Sequence, residues 1–371
     1  MMSYKKLCAV LLAIVFSSAL VTNSVIAAEE KVLNVYNWVD YIGADTIANF
    51  EKETGIKVNY QTYKVNETLD AALRDKKTNY DVVMPSSDWA KSQIDSGLLQ
   101  KLNKSKIANF NNLDAKFLDK FKKTDPSSDY LAGYLWGYTT LGVNVEQVIK
   151  ALGKTPVPKN LWDLVFNPSY TKKLKSCGII LLDSANDLMP IALLYVDKPP
   201  YSSNELDYAA ALTMLKKVRP DIKEFTSDGQ AEKLADGSTC LAVGYGGDFY
   251  RARKVAKEKG NDLNIAPVFP EKGGLLFLDS MAIPKNAKHP DNAHAFINYV
   301  LRPEVHAKIT NDTKYANPNK ASTKFVELGM TTDRALYLDS SDFNRLIAPE
   351  ALSDSAKAIR EAAFEQFKAG K

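Results

Sequence analysis

The sequence predicts an α/β protein folded as two lobes, and three observations carry that prediction. Its 371 residues suffice for two domains at roughly 150 residues each. Strand-like and helix-like segments alternate along most of it, the rhythm of a mainly parallel sheet flanked by helices. No internal repeat, coiled coil or low-complexity tether separates the halves. A composition of 45% hydrophobic and 10% aromatic residues excludes disordered, collagen-like and disulfide-scaffold classes.

Residues 1–28 have the three-part form of a secretory signal. Lys5 and Lys6 give a positive start, Leu7 to Leu20 is apolar except for Ser17 and Ser18, and Val25-Ile26-Ala27-Ala28 supplies small residues for cleavage. The apolar run is short for a membrane span, so cleavage near Ala27/Ala28 and an exported, soluble chain are expected. Cys8 lies inside this leader and no Cys stands near the cleavage point, so a lipid anchor there is not expected.

The elements follow in order. Val32 to Tyr36 reads as a strand, Asp45 to Glu53 as a helix, Ile56 to Tyr60 as a strand and Asn66 to Lys76 as a helix with Leu69, Ala72 and Leu73 on one face. Tyr80 to Met84 is a short apolar strand closed by Pro85, followed by a helix from Asp88 to about Ser96. Leu141 to Asn144 ends a strand region, and Gly178 to Asp183 is a buried strand. Tyr208 to Val218 has helical period, stopped by Pro220, and Cys240 to Gly244 is a strand with Asp248 opening the helix after it. Leu276-Phe277-Leu278 and Met281-Ala282-Ile283-Pro284 flank Asp279, and His294 to Leu301 and Ala351 to Phe367 are amphipathic helices. The expected division is a leader over 1–28, lobe 1 over 29–138 with a return segment near 280–320, and lobe 2 over 139–279 with C-terminal helices in 321–371.

Cys177 and Cys240 are the only cysteines after the leader. An even pair in an oxidising compartment is most simply a disulfide; two separate buried thiols are the alternative. The formal charge of +4, two of it from Lys5 and Lys6, gives no support for a nucleic-acid or anionic-membrane partner.

Catalytic and metal motifs are weak. His289, His294 and His306 fall in one stretch without the H-E-x-x-H spacing. Gly153-Lys154-Thr155 resembles the end of a phosphate loop, but Val148 stands where its first glycine belongs. Neither a G-x-S-x-G elbow nor a G-x-G-x-x-G turn is present. No metal or cofactor is expected.

Carboxylates among aromatics at strand ends stand out instead: Asn37-Trp38-Val39-Asp40-Tyr41, Pro85-Ser86-Ser87-Asp88-Trp89, Asp183-Ser184-Ala185-Asn186-Asp187, Gly244-Tyr245-Gly246-Gly247-Asp248 and Phe277-Leu278-Asp279. In open α/β sheets, ligands bind at the carboxyl ends of strands. Carboxylates pair with ammonium groups, and ring faces attract the cation and pack on its methylenes, so the pattern points to an organic cation. Taken singly, Asp88, Asp187 and Asp248 also suit helix N-caps, Trp38 and Trp89 suit core or inter-lobe packing, and Gly246-Gly247 suits a tight turn.

These residues make the chain similar to the periplasmic polyamine-binding proteins of bacterial ABC transporters, over nearly all of the sequence after the leader. The matching stretches are Asn37-Trp38-Val39-Asp40-Tyr41-Ile42, Asn49 to Val58, Leu174-Lys175-Ser176-Cys177-Gly178, Tyr245-Gly246-Gly247-Asp248, Leu301-Arg302-Pro303 and Tyr315 to Ala321. The resemblance implies a type II periplasmic binding protein with its ligand in the inter-lobe cleft and a Cys177–Cys240 disulfide. It further implies a monomer that hands a polyamine to an inner-membrane permease, without membrane insertion of its own. By the same resemblance Trp38 walls the alkyl chain with Asp40 and Tyr41 beside it, Ser86 follows the third strand, and Ser227 stands near the pocket. Asp187 takes one amine, Asp248 and Asp279 hold the other, and Phe277 and Tyr315 complete the aromatic box.

Three departures bear on the ligand. Tyr245 stands where the family usually has Trp, Asp187 is one methylene shorter than the family Glu, and Asp88 brings a charge to a position usually small or aromatic. Phe277, in place of a larger Trp, favours putrescine, with spermidine next. The alternatives are the same fold holding another organic cation such as agmatine or cadaverine, an iron or amino-acid receptor, and a secreted carboxylate-dependent hydrolase.

Overall fold

Alternate burial along β1 (Val32–Trp38), with Leu33 and Val35 fully enclosed, places that strand at the centre of the first sheet. The computed structural model describes residues 29–75 and 77–370; the leader, its cleavage point and Lys76 at the end of the second expected helix lie outside them. α1 (Thr46–Thr54) carries the chain to β2 (Lys57–Tyr63), and α2 (Asn66–Arg74) carries it to β3 (Val82–Val83). The sheet order is β2-β1-β3, parallel throughout, as the βαβ rhythm predicts.

α3 (Ser87–Asp95), β4 (Leu99–Gln100) and α4 (Ala115–Lys120) lead to β5 (Ala132–Asn144), a strand buried along its whole length. Beyond it lie α5 (Val145–Leu152), α6 (Asp163–Phe166), α7 (Pro168–Leu174), β6 (Ile179–Leu181), α8 (Ala185–Tyr195) and α9 (Glu205–Val218). β7 (Glu224–Phe225), α10 (Gln230–Ala235), β8 (Leu241–Tyr245), α11 (Gly246–Glu258) and β9 (Ile265–Val268) complete this lobe's sheet region. β10 (Leu276–Met281) and β11 (Ile283–Pro284) return the chain, followed by α12 (Pro290–Val300), α13 (Pro303–Thr313), α14 (Leu328–Thr331), α15 (Ser340–Asn344) and α16 (Asp354–Lys368).

β5 joins the two lobes. Its first half, Ala132, Tyr134 and Leu135, packs into one core with Val35, Val82 and Phe296. Its second half, Leu141 and Val143, packs into the other with Leu181, Leu193 and Tyr208. The second sheet, β10-β5-β8-β6-β7 with β9 also on β5, is mixed and not mainly parallel. β8 pairs parallel with β6, but β8, β9 and β10 all run antiparallel to β5. The chain leaves lobe 1 on β5 and comes back on β10, so the two crossing strands must oppose each other. α16 returns to the second core through Phe364 and Phe367.

Cys177 and Cys240 are bonded (Sγ–Sγ 2.03 Å), tying the segment after α7 to the start of β8, at the end of that strand remote from Tyr245. Removing the bond by the double Cys177→Ser, Cys240→Ser change, across a separation of 63 residues, should lower stability in urea unfolding by about 4 kcal/mol on the chain-entropy model. An unchanged urea midpoint would contradict it.

The three histidines serve the framework. His289 Nδ1 meets Asp81 at 3.0 Å, His294 Nε2 accepts the backbone N–H of Asn103 at 2.8 Å, and buried His306 bonds the carbonyl of Tyr134 at 2.5 Å. Burial pushes the His306 imidazole down to about 4, so it stays neutral.

Candidate functional site

The crossing strands supply the floor of the site. Antiparallel register sets Phe277 opposite Gly137, where a Cβ would stand 2.5 Å from the Phe277 ring; only glycine lets the ring lie across β5. The pairing shifts between Asp279 and Ser280, and such bulges re-aim a side chain. The Asp279 carboxylate, only 5% exposed, accepts the Tyr41 hydroxyl at 2.9 Å and the Ser86 hydroxyl at 2.5 Å. Ser86 sits at the N-cap of α3 with extended backbone, yet its side chain does not cap the helix. Its hydroxyl is committed to Asp279, a local rule broken where a site demands it.

Two helix starts bring in the next carboxylates. The N-cap of α8 is Ser184, not Asp187. Asp187 lies in the first turn, where the helix dipole favours a negative charge, and accepts Ser184 Oγ at 2.6 Å, Thr139 Oγ1 at 3.1 Å and the Tyr245 hydroxyl at 3.1 Å. α11 begins at Gly246, so Asp248 is likewise a first-turn residue and not a cap. It accepts the Tyr315 hydroxyl at 3.1 Å, with Arg251 3.8 Å away. The glycine pair before it is helical and makes no turn. A Cβ on Gly246 would stand 2.2 Å from the carbonyl oxygen of Ala335, and one on Gly247 would stand 2.7 Å from that of Lys314. Glycine here admits the chain that carries Tyr315.

The rings form a continuous row. Tyr245 to Phe277 is 5.3 Å between centroids, Phe277 to Tyr315 6.0 Å, and Tyr315 to Tyr41 5.3 Å. Each tyrosine of the row donates its hydroxyl to a different carboxylate: Tyr245 to Asp187, Tyr315 to Asp248 and Tyr41 to Asp279. Trp38 stands at the end of β1, its Nε1 donating to the Met84 carbonyl at 2.9 Å and its ring tilted on Tyr63 at 4.6 Å. Asp88, half-buried in the first turn of α3, is close enough to Asp187 for that charge to raise its pKa, and to Tyr201 for its own charge to help raise that of the hydroxyl. Trp89 lies under Lys357 of α16, 5.4 Å from the ring centroid.

Two expected site residues stand apart. Asp40 is exposed in a turn with φ 55°, and Ser227 is exposed between β7 and α10; neither hydrogen-bonds to the cluster. Conversely, Thr139 and Ser184 donate to Asp187, and Tyr201 and Arg360 lie near enough to feel or oppose the charges of Asp88 and Asp187, although motif reading missed all four. The spacing Ser184-x-x-Asp187 is a capping-box pattern and points to Ser184. Tyr201 and Arg360 come from segments without a motif.

Burial dominates the electrostatics. It pushes Asp279 up to about 7, against the hydrogen bonds from Ser86 and Tyr41 and with some help from the charge of Asp88. Asp88 is pushed up to about 6 by burial and then by Asp187, with backbone N–H groups and Arg360 opposing. Asp187 and Asp248 are raised by burial as well. Tyr245 and Tyr315 are held protonated by burial and by their carboxylate neighbours. Among the described residues, no lysine or arginine lies within ion-pairing distance of Asp88, Asp187 or Asp279, whereas Asp248 has Arg251. Such a cluster is complementary to a multiply charged organic cation: carboxylates for ammonium groups, a row of rings for the carbons between them.

Known proteins share the sequence family and the fold. The family model for bacterial extracellular solute-binding proteins matches residues 45–333. The chain is 38% identical over 347 residues to the putrescine-binding periplasmic protein PotF of Escherichia coli strain K12, covering 93% of this chain and 94% of that protein. It is 34% identical over 351 residues to the spermidine/putrescine-binding periplasmic protein of the same organism, with 93% and 94% covered. Among solved structures, a putative spermidine/putrescine ABC transporter protein of Listeria monocytogenes superposes with a TM-score of 0.78 at 30% identity, over 92% of this chain and 100% of that one. PotD of Streptococcus pneumoniae superposes with a TM-score of 0.78 at 26% identity, over 92% and 99%. The chain belongs to the bacterial extracellular solute-binding protein family.

Proposed function

We propose that the chain is a periplasmic receptor that captures a polyamine between its lobes, putrescine in preference to spermidine, and delivers it to an inner-membrane ABC permease. It acts by binding, without catalysis, as a monomer freed from its leader near Ala27/Ala28, with lobe boundaries near 138 and 279. The observation that carries this reading is the set of buried carboxylates Asp187, Asp248 and Asp279, each accepting the hydroxyl of a different tyrosine of one aromatic row, of which only Asp248 has a basic side chain within ion-pairing distance among the described residues. Burying charges is unfavourable unless each is paired, and a diamine, with amine pKa values near about 10, brings a positive charge to each end of the row. In this assignment Asp279 and Asp248 hold one ammonium, Asp187 the other, and Trp38, Tyr245, Phe277 and Tyr315 pack on the methylenes. Closure of the lobes completes the coordination, because the carboxylates and rings are divided between them.

Calorimetric titration of the refolded mature protein tests this against putrescine, cadaverine, agmatine, spermidine and spermine. One-to-one binding, tightest for putrescine, is expected; no heat with any of them from folded protein overturns the reading.

Asp88 gives a second, finer expectation. It extends the acidic end beyond Asp187 beside Tyr201, where a third charge or a guanidinium would sit. Asp88→Asn should weaken agmatine and spermidine by about tenfold or more, and putrescine by less than about threefold, as for loss of one charge-assisted contact. Equal losses for all three ligands would assign Asp88 to the general field of the cleft.

A further inference from the structure

A cavity of about 510 Å³ opens on the reverse side of the crossing strands, a volume in the range of small-molecule sites. Trp136 of β5 faces Leu278 of β10 in the register and shares a hydrophobic cluster with it. Side chains alternate faces along a strand, so Trp136 and Leu278 look away from the cleft into which Phe277 and Asp279 project. Phe117, Trp136, Tyr337 and Phe343 line this second space. Phe117 and Phe343 lie 4.8 and 5.7 Å from the Trp136 ring, and Tyr337 lies 6.3 Å from it. Trp136 is only 3% exposed, and its indole N–H has no hydrogen-bond partner among the described residues.

The polar rim has the opposite sign to the cleft. Lys116, Lys120 and Lys320 border the cavity, and among the described residues none of the three pairs with a carboxylate. Lys120 reaches the backbone carbonyls of Leu346 at 3.0 Å and Asn344 at 3.5 Å and lies 5.5 Å from the Phe343 ring centroid, with no carboxylate beside it, and burial holds it below the ordinary lysine value. The two acids on the wall already have partners: Asp114 caps α4 through the N–H of Lys116 at 2.9 Å, and Asp119 pairs with Lys122 at 2.6 Å. A buried indole donor, a half-buried ammonium without a counter-charge and a sheath of rings suit a flat anion.

We propose that this cavity is a second ligand site, independent of the cleft, that takes a small aromatic carboxylate, its ring laid against the packed cluster of Phe117, Trp136 and Phe343 and its carboxylate on Lys120. The test is calorimetric titration of 4-hydroxybenzoate and indole-3-carboxylate into protein saturated with putrescine, so that the cleft is already filled. One-to-one binding is expected, with cyclohexanecarboxylate and the aromatic cation tyramine at least about tenfold weaker. Lys120→Gln should weaken the aromatic acids by about tenfold, the effect of losing a charge-assisted contact, and leave putrescine affinity within about threefold. Trp136→Phe should do the same; if it does not fold, Thr323→Trp, which fills the space from an exposed wall position, should abolish the binding. No heat with either acid, binding that Lys120→Gln and Thr323→Trp leave intact, or displacement of the acids by putrescine overturns the proposal. Putrescine binding measured alone on the same samples separates failure here from failure of the polyamine reading.

Discussion

Asp279→Asn is expected to weaken putrescine binding by about 2–5 kcal/mol, the range for truncating one partner of a buried charge pair, or roughly 30- to 5,000-fold in Kd. The carboxylate is enclosed, its two oxygens take one hydroxyl each from Tyr41 and Ser86, and no basic side chain among the described residues balances it. An amide of the same shape removes the charge that an ammonium needs and sets an N–H₂ against one of those hydroxyl donors. Asp248→Asn should act in the same direction with a smaller effect, because Arg251 at 3.8 Å already shares that charge. Asp279→Asn also has an opposite signature in the ligand-free protein. Burial raises the Asp279 pKa to about 7, so at alkaline pH the native state carries an unfavourable charge that the amide lacks. The variant should therefore lose affinity while its ligand-free thermal midpoint at alkaline pH stays level or rises. Calorimetry and thermal melts on the same samples read both. Putrescine affinity within about threefold of the parent for both variants would remove these carboxylates from the site.

Much of this was legible because the strands end where their chemistry begins. The hydrophobic alternation of Val32 to Tyr36 and the Pro85 stop after Met84 locate Trp38 and Ser86 without a structure. The carboxylates at 248 and 279 stand out by their aromatic company, and Asp187 by its place after a buried strand. What local pattern does not carry is pairing at a distance. Nothing around Gly137 says that Phe277 lies across it, and nothing around Asp279 says that a bulge turns it towards Tyr41 and Ser86, because β5 and β10 meet only through the antiparallel return of the chain. α8 was marked only at its start, through Asp187 as a candidate helix N-cap, because Pro190 inside the helix interrupts the pattern that would have given its extent. Arg360 reaches the acidic end of the cleft from the last helix, a placement set by how α16 packs on the second core. Asp40 shows the converse. Its neighbours match a pattern well, yet the left-handed turn leaves its carboxylate in solvent.

Polyamine affinity should fall steeply on acidification across a window in which the ligand itself does not titrate. Aliphatic amines with pKa near about 10 stay protonated throughout, so any dependence belongs to the cleft. In the ligand-free protein Asp279 is raised to about 7 and Asp88 to about 6, both chiefly by burial. Near neutrality the site therefore holds protons that a bound ammonium would expel, since a neighbouring cation favours the carboxylate. Raised in the free protein and lowered in the complex, these groups give full affinity above about pH 7 and a loss of about tenfold per pH unit for each group once it is protonated in the free site. From about pH 8 to about pH 5.5, a loss of at least about tenfold is expected from Asp279 alone. The ligand-free fold has the reverse dependence. A carboxyl whose native pKa lies above its unfolded value binds more protons when folded, so its contribution to stability declines as pH rises from about 4 to about 7. Added putrescine should thus raise the thermal midpoint more at about pH 8 than at about pH 5.5. Calorimetry in buffers of different ionisation enthalpy counts the protons released near pH 6.5, and Asp279→Asn should remove most of them. A Kd flat across this range, with heats independent of the buffer, would mean that these carboxylates are already ionised in the free cleft and that closure, not binding, is what buries them.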